Sequence, residues 1–217
     1  MPSTARFLLL GLCTLILVLS VQVFASEYRV TFLLRGTVND QIDRLAMPGS
    51  PPLPASARTA RDLMMACGTI LTTAPRPKGD PALAARLRQS CGQLAAEIIA
   101  QAPGNGRALA IALLASLPHL RADAIRSAAA AAPHEPWPLL MRIEAASLAP
   151  PDPDIAEAMA PDIVRALATV WGRERIARLY ADRADLRDRI KVLMQSLPQS
   201  AQSDFLRALR DAMRVKA

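Results

Sequence analysis

The chain opens with a run of apolar residues that carries no charge. The run covers eighteen residues from Phe7 to Phe24, FLLLGLCTLILVLSVQVF. A helix rises 1.5 Å per residue, so this length nearly crosses a hydrocarbon core about 30 Å thick. We expect residues 1–25 to be a transmembrane anchor, because the run exceeds the roughly 7–15 apolar residues of a signal peptide. The alternative is a secretory signal cleaved after Ala25, with Arg6 as its positive start.

Charged residues around this run give two answers for its orientation. Arg29, Arg35 and Arg44 follow it, whereas Arg6 and the terminal amine precede it. The excess of arginine after the run predicts that the C-terminal side is cytoplasmic. The very short N-terminal tail resembles that of a signal and predicts the opposite. The charge pattern therefore leaves the orientation open.

A proline-rich segment follows. Residues 48–56, PGSPPLPAS, contain four prolines and cannot propagate a helix, so they read as a stiff spacer. The preceding residues 26–47 fit either a short helix continuing from the membrane or a stalk. We therefore predict a stalk and spacer over residues 26–55 and a helical domain over residues 56–217.

The remaining sequence is divided into helices by prolines and by residues that accept hydrogen bonds from first-turn amides. The predicted helix ends precede Pro75, Pro118, Pro133 and Pro150, and one helix ends near Gln101. The predicted starts are Ser56, Asp80 with Pro81, Asn105, Pro136, a capping box of Asp154 with Glu157, and Ser200. No alternating strand pattern competes. The sequence predicts an all-α fold of antiparallel helical hairpins behind an N-terminal transmembrane helix.

One part of this domain resembles a degenerate tetratricopeptide repeat. When Pro133 is set on the closing proline of the repeat, five residues fall on its small or apolar packing positions: Ala108, Leu109, Ala112, Ile125 and Ala128. Asn105 and Arg121 depart from the repeat pattern. The resemblance implies a tetratricopeptide-like hairpin bundle.

The runs APGNGRALAIALLASLP and AIRSAAAAAPHEPWPLLMRIEAASL, with RLYA further on, are also similar to small single-pass helical-repeat proteins associated with bacterial exopolysaccharide or O-antigen assembly. That resemblance implies a role in polysaccharide assembly or export at a bacterial inner membrane. The prediction that the soluble domain lies in the periplasm rests on a pair of cysteines.

Two cysteines are placed symmetrically about a predicted turn. Cys67 and Cys91 lie equally far from residue 79, and a glycine follows each of them. Residues equally far from the turn of an antiparallel hairpin lie at the same height, and glycine allows the close backbone approach that a disulfide needs. We predict a Cys67–Cys91 disulfide, with two buried free thiols as the alternative. A disulfide would require an oxidising compartment and would place the domain outside the cytoplasm.

Residue patterns for known active-site chemistry are missing. His119 and His134 are the only histidines, and the sequence has no C-x-x-C, H-E-x-x-H, G-x-S-x-G, Walker or G-x-G-x-x-G motif. Both histidines adjoin proline-marked helix ends, which favours exposed loop positions. The Asp152-Pro-Asp154 sequence reads as helix capping rather than a metal motif. We expect no catalytic residue, metal or cofactor.

The net charge of +7 is concentrated near the C-terminus, where residues 171–217 hold eleven Arg or Lys against six Asp or Glu. The last helix carries Arg207, Arg210, Arg214 and Lys216 around Phe205, Leu209 and Met213, which suggests contact with anionic lipid or polysaccharide. Interleaved acids, such as Asp185 four residues before Arg189, favour ordinary packing instead. Nucleic-acid binding is not expected, because no aromatic platform accompanies the basic residues.

Four residues are candidates for a partner-binding groove: Trp137, Arg142, Trp171 and Tyr180. The alternative is core packing, because so few aromatic rings must fill the gaps left by alanines. Arg142 facing Glu144 or a helix end would likewise be structural.

Together these features predict a non-catalytic, membrane-anchored scaffold that binds other membrane or periplasmic proteins, in envelope polysaccharide biosynthesis or export. The alternative is a small accessory subunit of a respiratory or photosynthetic membrane complex.

Overall fold

The fold is entirely helical. A computed structural model describes residues 2–47, 49, 53–73 and 80–214, and these residues contain eleven α-helices, one 3-10 turn and no strand. The all-α prediction is confirmed. The chain divides into two compact units, one ending at Ile98 and the other beginning at Ile99.

Unit one contains α1 (Pro2–Leu34), α2 (Val38–Leu45), α3 (Ala57–Thr73) and most of α4 (Pro81–Gln101). Unit two contains α5 (Gly106–Ala115), α6 (Ala122–Ala131), α7 (Pro136–Leu148), α8 (Pro153–Leu167), α9 (Val170–Asp182), the 3-10 turn (Ala184–Leu186), α10 (Arg187–Gln195) and α11 (Gln199–Arg214).

Helix α1 runs through the apolar segment without a break. Its stretch from Phe7 to Leu34 is 28 residues long and apolar enough to cross a membrane. The helix continues past Phe24 because nothing between that residue and Leu34 is a proline or a glycine. Of residues 26–47, which the sequence left open as helix or stalk, those up to Leu34 therefore continue the helix of the apolar run.

A tight corner connects α1 to α2. Gly36 has a φ of +83°, a conformation that glycine adopts without steric cost. Thr37 and Asp40 then form a capping box, with the Thr37 amide donating to Asp40 Oδ2 at 2.7 Å. The Arg44 guanidinium returns to the end of α1 and donates to the carbonyls of Phe32 at 2.7 Å and Arg35 at 2.6 Å. These bonds satisfy carbonyls that have no partner within the helix.

The start of α3 is held by the continuation of α1. Ser56 caps α3 as predicted, accepting from the Thr59 amide at 3.2 Å. Glu27 of α1 accepts from the Ser56 amide at 2.7 Å and also from the Thr59 hydroxyl. Ser26 donates to the Leu53 carbonyl, and Val30 is fully buried. Of the four prolines predicted to form the spacer, Pro48, Pro51 and Pro52 lie outside the described residues.

The structure joins Cys67 on α3 to Cys91 on α4. Both residues are fully buried, and their α-carbons lie 5.8 Å apart, within the usual range for a disulfide. The structure therefore has the Cys67–Cys91 pairing that the symmetry of the sequence predicts. Cys13 is the remaining cysteine, exposed on the apolar segment.

Most helix starts in the domain follow their predicted caps. Asp80 accepts from the Leu83 amide at 3.0 Å with Pro81 as the first residue of α4, and Asn105 accepts from the Ala108 amide at 3.1 Å. Pro136 opens α7, also as predicted. Thr169, which the sequence reading missed, caps α9 by accepting from the Gly172 amide at 3.1 Å.

Two predicted caps are wrong by a few residues. Asp152, not Asp154, caps α8, because its carboxylate accepts from the Asp154 amide at 2.8 Å while Pro153 occupies the first helical position. Ser200 lies inside the first turn of α11, which begins at Gln199, so it does not cap that helix. At α8 two aspartates lie two residues apart, and the sequence alone does not rank them. The residue before α11 is Pro198, which offers no capping side chain.

Helices of unit two pack on the next helix and on the next but one. Helix α5 packs on α7, α6 on α8, α8 on α9, and α11 on α9. The interfaces are lined by small and branched residues, among them the fully buried Ala108, Ile111, Ile125 and Ile163. The alanine-rich composition supplies small side chains at these interfaces, and small side chains let the helix axes approach closely. The tetratricopeptide resemblance remains a prediction.

The disulfide should make a large contribution to the stability of unit one. Closing a 24-residue separation stabilises the folded state by about 3–4 kcal/mol in the loop-entropy model. We expect the Cys67→Ser, Cys91→Ser double variant to lose about that much unfolding free energy in chemical denaturation of detergent-solubilised protein. The matched control, Cys13→Ser, should be unchanged. Two alkylatable thiols at positions 67 and 91 in unreduced protein from the native host would contradict the pairing.

Candidate interaction surfaces

A fully buried ion pair joins α7 to α8. Arg142 is 0% exposed, and its guanidinium donates to both carboxylate oxygens of Asp162, from Nε at 2.7 Å and from Nη2 at 2.9 Å. This two-point geometry matches the planar guanidinium to the planar carboxylate. Arg165 adds a third contact to Asp162 from the partly exposed side, at 3.3 Å. The pair therefore satisfies its charges internally rather than facing solvent.

Arg142 also holds the end of α6. Its remaining terminal nitrogen, Nη1, donates to the carbonyls of Ala128 at 3.4 Å and Ala132 at 3.3 Å. Ala128 lies in the last turn of α6 and Ala132 directly follows the helix, so both carbonyls lie at the negative end of its dipole. Arg142 thus connects three helices and lies away from any surface where a partner would bind. The proposal of Arg142 as a partner-binding residue gives way to the structural alternative, because full burial removes its donors from solvent.

The three aromatic candidates occupy different settings. Trp137 is half-buried in the first turn of α7, and Trp171 is 37% exposed in the first turn of α9. Tyr180, near the end of α9, packs edge-on against Phe205 of α11, with 6.2 Å between ring centroids. Tyr180 therefore contributes to packing, whereas Trp171 remains available on the surface beside Val170, which is also exposed.

Further arginines bind helix ends in the same way as Arg142. Arg183 donates to the Ala149 carbonyl just beyond α7, at 3.1 Å, and to the Ser147 carbonyl within α7. It also donates two hydrogen bonds to the Asp185 carboxylate. The hydrogen bond from Arg183 lowers the pKa of Asp185 below its ordinary value. On a continuous α-helix the four-residue spacing would pair Asp185 with Arg189. Asp185 pairs with Arg183 instead, because the chain forms a 3-10 turn there.

Arg173 and Arg187 complete this set in unit two. Arg173 donates to the Leu167 carbonyl at the end of α8, at 3.2 Å. Arg187 donates to the Tyr180 carbonyl at 3.0 Å and the Ala181 carbonyl at 3.3 Å, near the end of α9. The sequence reading missed these contacts, and it missed Asp162 as the partner of Arg142. Asp162 lies twenty residues from Arg142, and the carbonyls bound by Arg173 and Arg187 lie six or seven residues away. None of these separations is the three- or four-residue spacing that brings side chains together on one helix face.

A cleft with mixed charge lies between α9 and α11. Asp204 of α11 pairs with Arg173 at 3.3 Å and with Arg207 at 3.4 Å. The other lining residues include Val170, Glu174, Arg178, Ala208 and Asp211. Because acidic and basic groups alternate along its walls, the cleft does not present a concentrated charge of either sign.

The outer face of α11 combines an apolar stripe with a row of arginines. The outer stripe, Leu206, Leu209 and Met213, has the three- and four-residue spacing of one helix face. Leu206 is 50% and Met213 52% exposed, whereas Phe205 points inward and is buried against α9. The arginine row, Arg207, Arg210 and Arg214, follows the stripe one position along the chain and borders it. Lys216, predicted to add to this charge, lies outside the described residues.

Chemistry-bearing side chains are scattered over the described part of the chain. Among those residues no group of three or more His, Cys, Asp or Glu could hold a metal ion. His119 and His134 both lie in exposed loops. Among the described residues of unit two, the exposed large apolar side chains lie at the start of α9, on α10 and on the outer face of α11: Val170, Trp171, Val192, Leu206 and Met213.

Comparison of the chain with protein-family models, with curated proteins and with solved structures finds no match.

Removal of Arg142 should destabilise unit two strongly. The Arg142→Met variant leaves the Asp162 carboxylate buried with only the partly exposed Arg165, and stranding one partner of a buried pair costs about 3–5 kcal/mol. We expect a loss of that size in chemical denaturation followed by circular dichroism. The matched control is Arg121→Met, which removes an exposed pair with Asp123 and should leave the denaturation curve unchanged. Equal curves for both variants would contradict a central role for Arg142.

Proposed function

We propose that this chain is a non-catalytic, membrane-anchored scaffold whose helical units bind partner proteins. The observation that carries the proposal is the unbroken course of α1, from an apolar segment long enough to cross a membrane into the packed part of unit one. The last turns of α1 belong to that unit through Glu27, Val30 and the carbonyls bound by Arg44. A membrane helix attached in this way would hold unit one firmly rather than on a flexible tether.

This junction would fix the rotation of unit one about the membrane helix. A transmembrane helix that ended in a disordered linker would leave the soluble part free to rotate. Here the Glu27 carboxylate and the Arg44 guanidinium fasten two sides of α1, to the start of α3 and to α2 respectively. A scaffold with this junction would present its partners at a fixed rotation about the membrane helix.

The finer part of the proposal is the location in a bacterial envelope. We propose that the soluble units face the periplasm and serve polysaccharide biosynthesis or export. The paired Cys67 and Cys91 support an oxidising compartment, because disulfides rarely persist in the cytosol. The support for polysaccharide work is the sequence resemblance to single-pass helical-repeat proteins of that kind.

Membrane extraction tests the anchor. After alkaline carbonate treatment of native-host membranes, we expect the chain to stay in the membrane fraction and to retain the peptide from Phe7 to Phe24, read by mass spectrometry. Changing both Ile16 and Leu17 to Arg should abolish this retention, because each arginine at a helix centre costs about 2.5–3.5 kcal/mol of insertion. Arg58→Ala, on the exposed face of α3, is the control. A soluble protein that begins at Ser26 would show a cleaved signal and contradict the anchor.

Two further measurements test the finer proposal. A single cysteine placed at the exposed Ala131, in a Cys13→Ser background, should react with a membrane-impermeant thiol reagent in cells whose outer membrane is permeabilised. Reaction only after lysis would contradict the periplasmic location. Cross-linking before gentle detergent extraction should recover components of glycan polymerisation or transport. Recovery of redox cofactor-bearing subunits instead would refute the polysaccharide role and favour an accessory subunit of a respiratory or photosynthetic complex.

A further inference from the structure

Helix α11 has apolar residues both on the side that faces α9 and on its outer side. Helix α11 packs on α9 through Phe205, which is 1% exposed. Leu206, Leu209 and Met213 continue the apolar arc onto the outer side of the helix. No described residue covers Leu206 or Met213 beyond about half of the side chain.

The charges beside this stripe favour one kind of occupant. Arg207 and Arg214 have highly exposed side chains, at 70% and 81%, and their contacts with Asp204 and Asp211 lie at the long distances of 3.4 Å and 3.9 Å. Arg210 is exposed and makes no ion pair with any described residue. Exposed pairs of this kind contribute little, so the guanidinium groups are free to exchange partners.

Helical geometry places the outer stripe and the arginines side by side and the carboxylates on a different face of the helix. At 100° per residue, Arg210 and Arg214 lie within about a quarter turn of Leu206, whereas Asp204 and Asp211 lie near the opposite side of the helix from Leu209. A surface that meets the outer stripe therefore also meets arginines, and not carboxylates. Apolar side chains beside guanidinium groups match the boundary between acyl chains and anionic headgroups.

We propose that α11 docks on the surface of an anionic lipid bilayer, with Leu206, Leu209 and Met213 entering the acyl-chain boundary and Arg210 and Arg214 binding headgroup phosphates. This contact is a second membrane site, distinct from α1, and it does not depend on retention of the apolar segment. Each arginine near an anionic surface strengthens association about fivefold. The two arginines together account for about 25-fold in the docking equilibrium.

Acyl-chain quenching tests this proposal on the full chain in nanodiscs. A bimane fluorophore is attached at Met213→Cys in a Cys13→Ser background, where Cys67 and Cys91 are paired and do not react. The nanodiscs contain phosphatidylcholine, with or without phosphatidylglycerol, and a lipid with a doxyl group on its acyl chain. We expect quenching of the fluorophore in the anionic nanodiscs, little quenching in the zwitterionic ones, and a decrease at high salt.

Charge-matched variants separate docking from general attraction. Arg210→Glu with Arg214→Glu should reduce the docking equilibrium by about 25-fold or more and remove the quenching. Arg126→Glu with Arg189→Glu makes the same change in net charge on α6 and α10 and should leave the quenching intact. Circular dichroism checks that both double variants keep their helical content.

The outcomes that overturn the proposal are equally distinct. Absence of quenching in anionic nanodiscs, or equal loss in both double variants, would remove the lipid site. If the unlabelled Met213→Cys thiol reacts less with bimane as protein concentration rises in zwitterionic nanodiscs, a second copy of the chain, and not lipid, covers the stripe. A separate bimane label on the native Cys13 reports insertion of α1 in the same nanodiscs, so failure of the anchor and failure of α11 docking are read independently.

Discussion

The Arg142–Asp162 pair is the contact on which the packing of unit two depends most. Both side chains are removed from water, so each charge is tolerated only because the other lies within hydrogen-bond distance. The same guanidinium binds carbonyls at the end of α6, so displacement of α6, α7 or α8 would leave a buried polar group without its partner. Apolar packing among alanines is weakly directional, and the ion pair supplies the register that small side chains do not.

Part of the high arginine content is explained by carbonyls at other helix ends, which also need hydrogen-bond donors. Arg44, Arg173, Arg183 and Arg187 each bind one or more carbonyls in the last turns of a helix or just beyond it. A planar guanidinium suits this task better than an ammonium group, because it reaches two acceptors in fixed directions. These arginines serve the fold, and net charge alone therefore overstates how much of the basic surface is free for anionic partners. On α11, in contrast, the arginine row points outward.

Features encoded over a few residues were predictable from the sequence. Asp80, Asn105 and Pro136 mark helix starts because capping acts over three residues, and the Cys67–Cys91 pairing follows from the symmetry of a hairpin about its turn. Where several caps adjoin, as at Asp152 and Asp154, sequence spacing chose the wrong one. Arg142 is buried and pairs with a residue twenty positions away because of how the helices pack in three dimensions. Packing also decides which apolar residues of α11 are buried and which are exposed. Local patterns carry no signal for either.

A double-mutant cycle between Arg142 and Asp162 tests the central claim most directly. Unfolding free energies are measured for Arg142→Met, Asp162→Leu and the double variant against the unaltered chain. If the buried pair fixes the packing of α6, α7 and α8, the two losses are not additive, and the double variant retains about 1–3 kcal/mol more than their sum predicts, because neither charge is left alone. Losses that simply add would show that the two side chains act separately and would contradict this account.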